Sequence, residues 1–298
     1  MSDGTAVLYD TLGPRGRLRV RIASIVCGVL LAALVLLAIV RLEERGQFEP
    51  DLWQPFGEWV TWRSLLEGLQ ATLAAAAVAM ALAAPIGLAM ALGRLSLNRP
   101  TRWLAGGYVE LFRAVPLLLF IYFAALGLPR YGIELSAFWY LVLPLVVYNS
   151  AVLGEIFRAG ILSLDRGQGE AALAIGMTYW QSMLLVVVPQ AVRRMVPALV
   201  SQLVTLLKDT SLGFVIPYAE LLRTGQINGQ FYGNLLQMTT VVALIYVAVN
   251  VSLGRVAVRL ERRQARRYGS AGPHAVLGES DVALLAARAG DGRERAGL

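Results

Sequence analysis

Apolar runs long enough to cross a bilayer recur along this chain, and arginine, proline and tryptophan collect between them. A helix needs about 20 consecutive apolar residues to cross a hydrocarbon core of ~30 Å. Residues 22–40 form the first such run and carry no charge, although four arginines (Arg15, Arg17, Arg19, Arg21) stand just before it. The run is long for a cleaved leader and no small-residue cleavage pattern precedes Arg41, so it reads as a retained span. Residues 65–92 make the second span, rich in alanine, which lets helices approach closely where lipid removes the hydrophobic drive between them. The third, 103–128, admits Glu110 and Arg113 near its start, three apart and so on one helical face where they could pair. The fourth is 135–154, closed by Glu155 and Arg158, and the sixth is 234–254. Between them, the apolar run 195–207 is only thirteen residues long, so the fifth span must extend through a charged end, Arg194 or Lys208.

Composition agrees with this pattern. Of 298 residues 57% are hydrophobic and 16% charged, with mean hydropathy +0.59, which leaves too little charge to clothe a soluble domain. The net charge of +7 is almost wholly arginine, since Lys208 is the one lysine. The arginines fall in the N-terminal tail (1–21), in 93–102, in 159–182 and after Gly254, which alternate on one side of a six-span path. That side is expected to be cytoplasmic, with both termini inside and isolated arginines such as Arg130 and Arg223 opposite. The basic balance therefore needs no nucleic acid to explain it. One cysteine, Cys27, and one histidine, His274, exclude a disulfide framework and a Cys/His metal cluster. The expected organisation is an all-α membrane bundle: tail 1–21, added span 22–40, outer loop 41–64, transmembrane domain 65–258, and a basic then disordered tail 259–298.

The long basic connection carries the most specific wording. Residues 169–199 read as a short helix, a break at Gly176 where a left-handed turn is free of penalty, and a second helix. Asp165 and Gln168 have the spacing of a capping pair for the first helix, and Pro189 is expected where the second gives way to the next span. A hairpin with the small Ala171 and Ala172 is shaped either to dock another protein or to lie as an ordinary amphipathic loop at the interface. Glu170-Ala171-Ala172, Gly176, then Val186, Val188 and Pro189 resemble the EAA signature of ABC importer permeases, with valine in place of the usual larger aliphatics. Leu65-x-x-Gly68-Leu69-x-x-Thr72-Leu73, Glu110-Leu111-Phe112-Arg113-Ala114-Val115-Pro116, Glu155-Ile156-x-Arg158-Ala159-Gly160 and Leu207-Lys208-Asp209-Thr210-Ser211-Leu212 extend the resemblance over about 62–263. They are similar to the polar amino-acid branch, and most to actinobacterial glutamate-uptake permeases.

The resemblance implies a type I importer permease with a five-span core plus one N-terminal span, and a coupling loop at about 159–189. In that family Glu170, Ala171, Ala172, Gly176 and Pro189 would form the surface that fits a cleft of the ATPase. It also implies partners: an ATPase dimer, an extracytoplasmic amino-acid-binding protein, and a second permease chain, a paralogue rather than a copy. ATP and magnesium would be held by the ATPase. A phosphate loop G-x-x-x-x-G-K-[ST] is impossible here, because the single lysine lies between Leu207 and Asp209. Lys208, Asp209, Thr210 and Ser211 form the candidate substrate pathway, since ionisable groups at membrane depth are functional by default and a cation beside an anion can address a zwitterion. The other role open to Lys208 and Asp209 is to satisfy each other within the bundle. Glu110 and Arg113 read as a polar pair, structural or part of the pathway. Glutamine or basic amino acids remain alternative cargoes. An ion-coupled secondary transporter would call for inverted repeats, which are not evident, and a scaffold role would leave the EAA wording unexplained.

Overall fold

The computed structural model describes residues 13–268; the expected disordered tail, including His274, lies mostly outside them. Ten α-helices are formed among these residues, in chain order α1 (Pro14–Glu44), α2 (Trp59–Leu95), α3 (Arg99–Ala114), α4 (Leu117–Tyr122), α5 (Ala137–Leu162), α6 (Arg166–Ala174), α7 (Tyr179–Gln181), α8 (Val188–Asp209), α9 (Leu221–Phe231) and α10 (Leu235–Tyr268). Two compact units are present. One comprises the chain up to Glu67 with Thr224–Ala243, and the other Gly68–Arg223 with the chain from Leu244.

The first unit holds α1 and a loop shorter than the 41–64 expected, because α2 already begins at Trp59. α1 is exposed along its apolar length, as suits a helix surrounded by lipid. Two short 3-10 turns, Pro50–Leu52 and Gln54–Gly57, shape the loop. The Trp62 indole donates to the Phe56 carbonyl at 2.8 Å, and Asn234 and Gln237 donate to the carbonyls of Leu52 (2.8 Å) and Gln47 (2.6 Å). Side-chain amides thus take the place of a ladder for a loop that has none of its own.

In the second unit the crossing pattern follows from pairs of contacts. The C-terminal ends of α2 and α5 lie together: Arg94 pairs with Glu155, and Gly87 sits against Ser150, Leu153 and Gly154. A Cβ on Gly87 would come within 2.8 Å of the Leu153 Cβ and 2.9 Å of the Ser150 carbonyl, so only glycine permits this approach. Two helices ending at the same side require the chain between them to cross back. That crossing is made by α3 and α4, bent by 94° where the third span was expected to run unbroken over 103–128. The cause is local: Val115, before Pro116, is extended (ψ 130°), since proline excludes its predecessor from the helical region. Among the described residues five helices are long and apolar enough to cross alone, and there are six with the bent pair taken as one span.

α8 returns in the opposite direction. Its start packs with Leu153, Phe157 and Ile161 of α5 through Val188, Ala191 and Met195, and its end packs with Leu141, Val142 and Leu145 through Leu206 and Leu207. The short fifth run is resolved by extension through Arg193 and Arg194: the helical path is unbroken from Tyr179 to Asp209, widened into a π turn at Ser182–Val187. Pro189 therefore does not end a helix. It sits in the first turn of α8, where its missing N–H is tolerated after the π turn.

Candidate coupling and translocation sites

The candidate coupling hairpin lies at the end where α2 and α5 terminate. Asp165 caps α6 by accepting from the Gly167 N–H at 2.8 Å. Gln168 does not complete a capping box as the spacing suggested; its side-chain oxygen accepts instead from the Gln190 amide of α8 at 3.2 Å. α6 ends in a Schellman arrangement, with Met177 N–H on the Ala172 carbonyl (3.2 Å) and Gly176 N–H on Leu173 (3.0 Å). Gly176, at φ +89°, supplies the left-handed residue this needs. A Thr178–Gln181 capping box then starts α7. Ala172 is buried inside the hairpin, whereas Glu170, Ala171, Gly176 and Pro189 are exposed. Leu173 and Ile175 project beside them, Ile175 at 77% exposure. The hairpin thus presents one acid flanked by apolar side chains and bare backbone.

Two hydrogen bonds tie this surface to the membrane helices. The Tyr179 hydroxyl donates to the Leu95 carbonyl at the end of α2 (2.9 Å), and the Ser182 hydroxyl reaches the Gly169 carbonyl (3.4 Å). Beside them Glu155 accepts from both Arg94 and Arg158, the latter at 2.6 Å, joining α2 to the last turns of α5. Glu110 and Arg113 make no ion pair: both are exposed, although they share a helix face, and Glu110 instead borders a groove with Arg94 and Arg158.

At the opposite end of α8 the four pathway candidates separate. Lys208 is exposed and Asp209 half-buried, and they form no ion pair with each other or with any described residue. Thr210 is fully buried and donates to the Leu207 carbonyl at 2.7 Å, closing the helix. Ser211 does the same to the Lys208 carbonyl at 2.7 Å. The sequence reading missed the other polar members of this face. Arg194, Ala198, Ser201, Thr205 and Lys208 are all exposed, and their spacing of four, three, four and three residues is that of one helical stripe. It runs about 21 Å, at 1.5 Å per residue, with a cation at each end. The opposite face of α8 is apolar and packed on α5, so periodicity was available as a signal; the charges at 193–194 concealed it by seeming to end the span.

Behind the stripe, Gln202 donates to the buried Asn149 of α5 at 2.8 Å, and Asn149 donates to the Leu145 carbonyl. Beyond α8, the chain turns through Thr210–Val215 and is anchored by Glu220. This fully buried carboxylate accepts from the N–H groups of Leu222 (2.8 Å) and Arg223 (2.6 Å) and from the Tyr246 hydroxyl (2.9 Å). Burial raises its proton affinity above that of an ordinary glutamate, against the three donors.

The family described as the binding-protein-dependent transport system inner membrane component matches residues 83–266. The chain belongs to this family of ABC importer permeases. As a permease subunit it does not itself hydrolyse ATP. The glutamate transport system permease GluD of Corynebacterium glutamicum is 42% identical over 226 residues, covering 74% of this permease and 83% of that protein. A probable glutamine permease of Bacillus subtilis, GlnP, is 46% identical over 159 residues, covering 52% and 73%. A crystal structure of an amino acid ABC transporter with histidines superposes with TM-score 0.63 at 32% identity, covering 67% of the permease and 94% of that chain. The permease is thus a multi-pass protein of the plasma membrane.

Proposed function

We infer that the cargo is glutamate, entering at Lys208 and leaving at Arg194. The chain is the membrane subunit of an amino-acid ABC importer. The observation that carries the cargo and its route is the exposed stripe of α8. A helix face with a cation at each end and hydroxyls between them is costly against lipid, so it belongs against water or protein. An anionic side chain passing along it is met by Lys208, then the Thr205 and Ser201 hydroxyls, then Arg194. The Thr205 hydroxyl donates in the resting helix to the Ser201 carbonyl at 3.2 Å and keeps acceptor capacity for the cargo's ammonium group, while the exposed Ser201 hydroxyl can donate or accept. Asp209, beside Lys208 and without an ion-pair partner, suits the cargo's ammonium group. The similarity to a glutamate permease over 226 residues supports this choice.

In this reading the arginine-rich end, with the hairpin and both termini, is cytoplasmic. A separate ATPase dimer binds ATP and magnesium and docks on Glu170, Ala171 and Gly176, with Ala172 and Pro189 shaping the hairpin from within and behind. An extracytoplasmic binding protein delivers the amino acid at the Lys208 end, and a paralogous permease faces the stripe. The test is ATP hydrolysis by the reconstituted assembly, stimulated by glutamate-loaded and glutamine-loaded binding proteins. Lys208→Gln is expected to lose about tenfold or more of the glutamate response while sparing basal hydrolysis. Equal responses in Lys208→Gln and the parent would remove Lys208 from the route.

A further inference from the structure

An open groove of about 630 Å³ lies where α2, α3 and α5 meet, away from the stripe of α8. Arg94, Arg99, Arg102 and Arg158 border it, with Trp103, Gly106, Gly107 and Glu110. Its charge is not balanced from within. Arg94 and Arg158 share the single carboxylate of Glu155. Arg102 reaches only the Ser96 carbonyl, at 3.4 Å, and the Arg99 guanidinium has no hydrogen-bond or ion-pair partner among the described residues. Counting Glu110 and Glu155 against four guanidinium groups leaves a net surplus of about two positive charges. Gly106 and Gly107 leave the floor of the groove open backbone, and nothing would stand within 4 Å of a Cβ on either.

At its border the Trp103 indole is bare, 78% exposed. A basic cleft between spanning helices, edged by an exposed indole, matches an amphiphile with an anionic head and hydrocarbon tails. We propose that the groove bordered by Arg94, Arg99, Arg102 and Arg158 binds the phosphodiester headgroup of an anionic phospholipid, with acyl chain against Trp103. Guanidinium groups match phosphate oxygens in pairs, which a single point charge would not do. The bound headgroup neutralises the surplus beside Glu155 and so steadies the joint between α2 and α5 on which the Tyr179–Leu95 contact rests. The site is independent of which amino acid is carried.

The test uses the full chain in nanodiscs of phosphatidylcholine with a minor fraction of lipid brominated on its acyl chains, either phosphatidylglycerol or phosphatidylcholine. Bromine quenches only indoles it touches, and the Trp103 signal is the difference between the parent and Trp103→Phe. Brominated phosphatidylglycerol is expected to quench Trp103 at about tenfold lower mole fraction than brominated phosphatidylcholine. The preference should vanish in Arg99→Gln/Arg102→Gln, weaken in Arg99→Lys/Arg102→Lys, where a point charge replaces each paired donor, and persist in the control Arg255→Gln, which lies on α10. Quenching equal for the two lipids overturns the proposal, as does an indole that neither lipid reaches, because the rim is then covered by protein. Loss of the preference on adding millimolar inorganic phosphate assigns the groove to free anions and overturns the lipid reading.

Discussion

The Tyr179 hydroxyl and the Leu95 carbonyl, 84 residues apart in sequence, are joined by a hydrogen bond of 2.9 Å that fastens the start of α7 to the end of α2. The hairpin is thereby fixed to a helix packed so closely on α5 that a Cβ at Gly87 would come within 2.8 Å of the Leu153 Cβ. Tyr179→Phe removes the bond and keeps the ring. A neutral hydrogen bond contributes about 0.5–1.5 kcal/mol, so the protein should insert and fold normally. The expected loss is in coupling: substrate-stimulated ATP hydrolysis falls severalfold while the ATPase still co-purifies. An unchanged ratio of transport to hydrolysis would show that the bond is only structural.

Gly176 gives a sharper test of the hairpin. A β-branched residue forced to φ +89° costs at least about 1–2 kcal/mol, concentrated in a nine-residue helix with little else to hold it. Gly176→Val should therefore reduce ATPase co-purification strongly, and Gly176→Asn, which tolerates this conformation, should reduce it less. Glu170→Ala should weaken docking without altering the hairpin. Normal co-purification with both Gly176→Val and Glu170→Ala would remove the docking role from this surface.

Gly87→Ala tests the α2–α5 contact. The new Cβ meets backbone and a Cβ rather than flexible side-chain ends, so the helices must separate. Overpacking of this kind costs about 1–3 kcal/mol, and the melting temperature in detergent should fall accordingly. Gly106→Ala, where nothing lies within 4 Å, should leave it unchanged.

The stripe of α8 makes a graded prediction. Arg194→Gln should slow release, lowering maximal uptake more than apparent affinity, whereas Lys208→Gln should do the reverse because it acts at entry. Thr205→Val should be milder than either, since only one hydroxyl is removed. These are read from initial uptake rates over a range of binding-protein concentrations. Identical profiles for the two cation variants would contradict a route running from one to the other.

The five or six candidate crossings were legible because apolar length is a property of sequence alone, and the hairpin because Gly176 and the EAA wording are local. The bend at Val115–Pro116 was also written in a local rule, but an apolar run across it concealed the break. Glu110 and Arg113 show the limit of spacing arguments: i,i+3 neighbours share a face, yet their side chains are directed by what lies around them. Arg94 reaches Glu155 because Gly87 brings α2 against α5, whereas Arg158 pairs with it one turn along the same helix. Thr210 was a candidate by its polar neighbours, and only the fold revealed that its hydroxyl is spent on the Leu207 carbonyl.

The central claim is tested most directly by glutamate uptake into proteoliposomes containing this permease, its paralogous partner, the ATPase and the binding protein. Uptake is predicted to require ATP inside and binding protein outside, and to ignore an imposed proton or sodium gradient. Uptake that persists without ATP and follows the ion gradient would contradict it.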